Sequence, residues 1–354
     1  MSHIPSSTGL VSRFGNGASH LPRLWHGFIL SALLGMAATF VSTMHGGPQL
    51  LYALFFGVAL HHLSGEAKSK PGIEFCSRTL LRLGVGLLGA RITAAQIAGL
   101  GWTTAAVVIL GVASTIGMAL VLGRRLGMTT PQSVLSGSAV AICGASAALA
   151  ISSVLPRDKE SDRFTLMVVV TVTVLSTIAM VVYPLIAKLL QLPPELAGLF
   201  LGGTIHDVAQ VVGAGYTIDQ HTGDVATVVK LFRVAMLTVV VVVVSAAFKR
   251  SREASDPTSE ISGTRRQALV PWFLWLFIVM VAVNSLGFIA QPVQDSLNFV
   301  SRACLVVAIA ALGMKTSFMQ LARAGWRPMM LLVAETAWLA ILVLLCALLM
   351  KQAS

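Results

Sequence analysis

Charge is scarce in this chain. Asp, Glu, Lys and Arg make up 11% of 354 residues, where a soluble domain averages roughly 25%. That scarcity excludes an ordinary water-soluble protein, a disordered chain and a coiled coil. Cysteine is scarce as well, with Cys76, Cys143, Cys304 and Cys346 alone. None forms a C-x-x-C pair, so neither a disulfide framework nor a zinc spacing is present. The chain lacks a P-loop and lacks G-x-G-x-x-G before a helix, which leaves no ATP or dinucleotide signature. What it has is apolar residues: 56% of the chain, with a mean hydropathy of +0.83. Its basic excess gives a net charge of +11. On a soluble chain that would suggest nucleic acid. Here the basic residues sit between apolar runs, as in the cytoplasmic loops of membrane proteins, and no nucleic-acid-binding motif accompanies them.

A spanning helix needs about 20 apolar residues. About eleven segments approach this: 25–44, 49–63, 76–95, 102–122, 132–153, 164–190, 195–215, 226–248, 269–290, 300–320 and 328–350. The expected fold is therefore an all-α polytopic membrane protein. Residues 1–24 are polar and read as a cytoplasmic tail. Residues 25–350 form one transmembrane domain, with a core including 76–248, a cytoplasmic loop at 249–267, and repeat-related helices over 297–350. Placing the N-terminus inside collects Arg13, Arg23, Lys68, Lys70, Arg78, Arg124, Arg125 and Arg323 in cytoplasmic loops. One loop resists: Arg157, Lys159 and Arg163 fall outside if every segment crosses once. They return inside if 132–153 and 195–215 are re-entrant from opposite faces. Broken spans and re-entrant hairpins both stay open, with the charge rule favouring hairpins.

Residues 73–102 match 297–326 at a constant offset of 224 (Gly313 against Gly89). Ser77/Ser301, Arg78/Arg302, Gln96/Gln320, Gly101/Gly325 and Trp102/Trp326 are among the identities. Either topology puts an odd number of segment steps between the copies, so they are expected to be inverted. Inverted repeats mark secondary transporters, with the substrate site at the repeat interface near mid-membrane. A duplicated helix pair without a transport role is the plainer alternative.

Two segments are irregular. In Ser136–Ser146, small and polar residues crowd an apolar run. They permit close packing, and also an unwound backbone whose freed N–H groups form an anion site. Gly202–Tyr216 carries Thr204, His206, Asp207 and Gln210 at membrane depth. Ionisable residues there are functional candidates by default, although a structural His–Asp pair would also account for them. Gly202, Gly203, Gly213 and Gly215 bracket this cluster as hinges would. Lys230 and Arg233, one helical turn apart, could neutralise Asp207, attract an anion, or snorkel to headgroups. Arg82 and Glu335 are lesser candidates. His61, His62 and Glu66 lack a third ligand at metal spacing.

Phe75–Arg91, Ala141–Ser146, Thr204–Val212 and Lys230–Val234 together resemble the YeiH-type family, UPF0324, a group of bacterial inner-membrane proteins named as sulfate exporters. The likeness extends over residues 25–350. The family more often has Glu at the position of Asp207, so the carboxylate is kept one methylene shorter. The resemblance implies a distant relation to bile-acid/sodium symporters and cation/proton antiporters: a core with discontinuous crossing elements that moves past a flatter panel.

The expected function is export of a small anion, sulfate or organosulfonate, across the bacterial inner membrane by alternating access. Cys143, Gly144, Ala145, Ser146, Thr204, His206 and Gln210 would bind the substrate. Asp207, Lys230 and Arg233 would couple it to H+ or Na+. No metal, cofactor or enzymatic activity is expected. Membrane lipids are the remaining partners, nucleic acid is excluded, and a homodimer stays open. A passive anion channel is the alternative. An intramembrane enzyme using His206, Asp207 and Ser146 ranks below it, because twin irregular segments have no reason to exist in one.

Overall fold

The computed structural model describes residues 21–156, 159–248, 271–316 and 326–353. Loop 249–267, most of the tail 1–24, residues 157–158 and the end of the second repeat copy lie outside the described residues. Every regular element among the described residues is helical. The helices are α1 (Leu21–His45), α2 (Gln49–Ala59), α3 (Lys70–Phe75), α4 (Leu81–Leu88), α5 (Ala94–Gly99), α6 (Gly101–Arg125), α7 (Thr130–Ala141) and α8 (Ala145–Ser152). They continue with α9 (Lys159–Leu189), α10 (Pro194–Thr204), α11 (Val208–Ile218), α12 (Gln220–Ala247), α13 (Trp272–Ser285), α14 (Gln291–Lys315) and α15 (Trp326–Ala353). A π-turn, Cys76–Leu80, joins α3 to α4.

Six of these helices are long and apolar enough to cross a bilayer: α1, α6, α9, α12, α14 and α15. The other apolar segments of the sequence appear as shorter or interrupted helices, such as α2, α11 and α13. Large apolar side chains cover the outside, with Trp102 90% and Leu189 83% exposed. So much exposed apolar surface suits a lipid environment.

The helices form two groups. A panel contains α1, α2, α3, α4, α13 and α14. A core contains α6 to α12 and α15. Backbones approach closely at glycines in the panel: a side chain on Gly89 would meet Met280 Cβ of α13 at 3.0 Å, and one on Gly313 would meet Gly57 Cα of α2 at 3.0 Å. Panel and core meet where α11 packs against α2 and α14.

Capping chemistry sets the helix starts. Thr129 and Gln132 form a capping box at the start of α7, with Pro131 in its first turn. Asp219 accepts from Thr222 N at 2.9 Å and so starts α12. Both motifs satisfy N–H groups that a helix leaves orphaned.

Candidate functional site

Both irregular segments break in the middle. α7 ends at Ala141, and α8 begins after Ile142, Cys143 and Gly144. α10 ends at Thr204, and α11 begins after Ile205, His206 and Asp207. Gly144 makes the first break sterically open, with φ 61° and ψ −121°, a region reserved in practice for glycine.

Each broken segment turns back on itself. The start of α7 (Thr129, Gln132) and the residues after α8 (Leu155, Pro156) line one cavity of ≈ 180 Å³, together with Phe164 of α9. At the other break, the start of α10 meets α12 through Glu195 Oε1 and His221 Nε2 at 2.9 Å. The end of α11 meets the same turn of α12 through Tyr216 Oη, which donates to Asp224 Oδ1 at 2.6 Å. Both arms therefore leave through one face. The 31-residue α9 separates the two bases, a length of roughly 46 Å at 1.5 Å per residue. The two hairpins thus enter from opposite faces and touch at their tips, where a Cβ on Gly144 would stand 3.3 Å from His206 Cβ. Arg163 lies in the opening turns of α9 beside the first base, on the face that also holds Arg124 and Arg125.

The glycines expected as hinges have another role. Gly202, Gly203, Gly213 and Gly215 are all helical. They admit neighbours instead: a Cβ on Gly215 would stand 2.7 Å from Gly223 Cα, and Gly213 faces Met180. The backbone unwinds only between them, at Ile205–Asp207.

Lys230 and Arg233 of α12 sit behind the tips, 0% and 1% exposed. Lys230 Nζ donates to the carbonyls of Ile142 (2.6 Å) and Ile205 (2.9 Å). Arg233 donates through Nε and Nη2 to Ala141 (3.0 and 2.6 Å), through Nη2 to Val140 (3.1 Å), and through Nη1 to Gly202 (3.1 Å) and Ile205 (3.3 Å). These are the orphan carbonyls at the C-terminal ends of α7 and α10. Cations are favoured at that end of a helix dipole. All five guanidinium donors of Arg233 are engaged, so it holds the hairpins rather than a solute. Neither cation reaches the surface of the molecule.

The N-terminal ends of α8 and α11 point elsewhere. Ser146 is exposed, and Ala145, Asp207 and Val208 are half-buried. Asp207 closes its own helix: Oδ1 accepts from Ala209 N at 2.8 Å. Its backbone N–H donates to Ser176 Oγ at 3.0 Å. The start of α8 has no such cap.

The remaining sequence-selected residues are more deeply placed. Thr204 is buried, with its hydroxyl on the Phe200 carbonyl at 2.5 Å. Cys143 is buried in the first tip. Gln210 Nε2 donates to Thr177 Oγ1 at 2.7 Å, and its Oε1 is buried without a partner. His206 Nε2 stands 3.1 Å from Thr336 Oγ1. The Thr336 hydroxyl lies 2.8 Å from the Leu332 carbonyl, which takes its single proton. His206 Nδ1 is buried without a hydrogen-bond partner among the described residues.

The residue that sequence reasoning undervalued is Glu335, next to Thr336 on α15. It is 0% exposed, and its Oε1 lies 2.8 Å from Ser136 Oγ of α7. Its only sequence signal is a carboxylate inside an apolar run.

Comparison with known proteins agrees over most of the chain. The family model described as conserved hypothetical protein 698 matches residues 26–332. A UPF0324 membrane protein of Chlorobaculum tepidum is 47% identical over 91% of this chain and 88% of its own length. The chain belongs to the UPF0324 membrane protein family. Other UPF0324 members carry names: TauZ of Paracoccus pantotrophus is 47% identical over 90% of this chain and 93% of its own. The inner membrane protein YeiH of Escherichia coli K12 is 33% identical over 90% and 93%. No solved structure matches this UPF0324 chain.

Proposed function

We propose that this protein is a secondary transporter that moves a small anion, a sulfate or organosulfonate, by alternating access, without a chemical step. The observation that carries this reading is the meeting of two opposed hairpin tips with unequal helix ends. Lys230 and Arg233 seal the C-terminal ends. Of the two N-terminal ends, α11 is closed by the Asp207 carboxylate and α8 is uncapped. An uncapped helix N-terminus in a field with surplus positive charge favours an anion. In this reading Ala145 and Ser146 offer N–H groups and a hydroxyl to the solute, the Gly144 N–H being held by the Ala139 carbonyl at 2.8 Å, and Asp207 binds the coupling H+ or Na+. Lys230 and Arg233 act by holding the tips in register.

The repeat supports the same reading. Arg91 follows α4 near Asp224 and the second hairpin base, while Lys315 ends α14 beside Ser77 at the opposite face. In this reading the matching helices run in opposite directions. The face that carries Lys68, Lys70, Arg78, Arg124, Arg125 and Arg163 is the cytoplasmic one by the charge rule, in a bacterial inner membrane with the N-terminus inside.

The test is radiolabelled sulfate flux in proteoliposomes under an imposed pH gradient, wild type beside Asp207→Asn. Flux that follows the gradient in wild type and not in the variant is expected. Absence of flux with sulfate and with a panel of sulfonates and carboxylates rejects the substrate class. Equal flux in both proteins that ignores the gradient rejects coupling and favours a passive channel.

A further inference from the structure

We propose that Glu335 is a proton-binding site, occupied in this conformation as a neutral carboxylic acid that ties α15 to the α7–α8 hairpin. Its use in coupling rests on the transport reading above; its protonation does not.

The first argument counts donors. Ser136 Oγ lies 2.8 Å from Glu335 Oε1 and 3.1 Å from the Ser133 carbonyl. A hydroxyl has one proton to donate. The shorter contact takes that proton, so Ser136 donates to Oε1 and is the single donor the carboxyl group receives among the described residues. The second argument is burial. Oε2 has no partner, and among the described residues no cationic atom comes within 4.0 Å of either oxygen. Buried charge without a partner is neutralised instead.

Among the described residues the surroundings supply no hidden counter-charge. α15 packs on α6, α7, α9 and α10. α7 has no ionisable side chain. Those of α6 (Arg124, Arg125) and α10 (Glu195) lie in terminal turns. On α9, Glu160, Asp162, Arg163 and Lys188 lie near its ends, and Tyr183 stacks on Phe200. His206 meets the neighbouring Thr336, so consecutive residues of α15 hold one hairpin each.

When the proton leaves for water, a carboxylate remains between α7 and α15 with a single hydroxyl to face it. Deprotonation therefore favours an arrangement in which hairpin and helix separate or admit water. That is the element a proton gradient could bias.

Infrared spectroscopy of the purified protein at neutral pH reads the proton directly. The C=O stretch of a buried carboxylic acid is expected in wild type, lost in Glu335→Gln, shifted in Ser136→Ala and kept in Asp207→Asn. Gln keeps a neutral donor and acceptor at the site, so this variant is expected to fold. If it does not, the Ser136→Ala shift decides. A band that persists in Glu335→Gln, or that ignores loss of the Ser136 hydroxyl, overturns the proposal and leaves the transport reading standing. A band lost in Glu335→Gln from a protein that moves no anion upholds the proton site and sinks the transport reading.

Discussion

Arg91 Nη2 lies 2.9 Å from Asp224 Oδ2, joining the panel to the core beside the base of the second hairpin. The pair is largely buried, at 13% and 17% side-chain exposure. Its second carboxylate oxygen holds Tyr216, and the guanidinium also lies over the Tyr216 ring, 5.6 Å from its centroid. With its amide oriented to satisfy both partners, Gln220 accepts from Arg91 too. Motion of the core past the panel has to break this group of contacts.

A double-mutant cycle measures that tie. Arg91→Gln and Asp224→Asn each lower thermal stability in detergent, and their coupling energy is about 0.5–3 kcal/mol, as for residues in one hydrogen-bonded network. A coupling of zero removes the pair from any role in holding the two groups together.

Arg233 gives the most demanding prediction. Arg233→Met leaves the carbonyls of Val140, Ala141, Gly202 and Ile205 without this donor. Buried unsatisfied groups cost about 1–3 kcal/mol each. The variant is expected not to accumulate as folded protein. Arg233→Lys, with three donors in place of five, folds with a lowered Tm. Wild-type Tm in Arg233→Met would show that the hairpin ends are held by something else.

Gly144→Ala tests the break. The positive φ and the 3.3 Å approach to His206 Cβ predict a loss of about 1–3 kcal/mol together with reduced flux. Ala at Gly99 adds a methyl in open space and serves as the control. If both variants behave alike in unfolding and in flux, the conformation at Gly144 carries no special strain.

The hairpins make a topological prediction. Cysteines replacing Gln132 and Lys159, in a background lacking the native thiols, react with an impermeant reagent from the cytoplasmic side alone. Cysteines replacing Glu195 and Asp219 react from the opposite side alone. Residues 132 and 159 reacting from different sides would restore single crossings.

Much of this was legible in the sequence, for identifiable reasons. A run of Ser, Gly and Ala from Ser136 to Ser146 interrupts an otherwise apolar period, and so does Thr204–Gln210; both interruptions became breaks. The misplaced charges at Arg157–Arg163 pointed to hairpins because loop charge follows sidedness. The glycines at 202 and 215 misled, because glycine serves close packing as readily as a turn.

The sequence by itself determined the solvent, the helical class, the two irregular segments and the family, since each depends on composition or on patterns within a few turns of one helix. The tertiary structure alone decided what the buried polar groups do. Lys230 and Arg233 meet backbone carbonyls 88 and 92 residues away, and a carbonyl has no letter in the sequence. Glu335 finds Ser136 at a separation of 199 residues. In a bilayer each buried polar group must find its partner inside the protein, and folding, not local pattern, selects which partner that is.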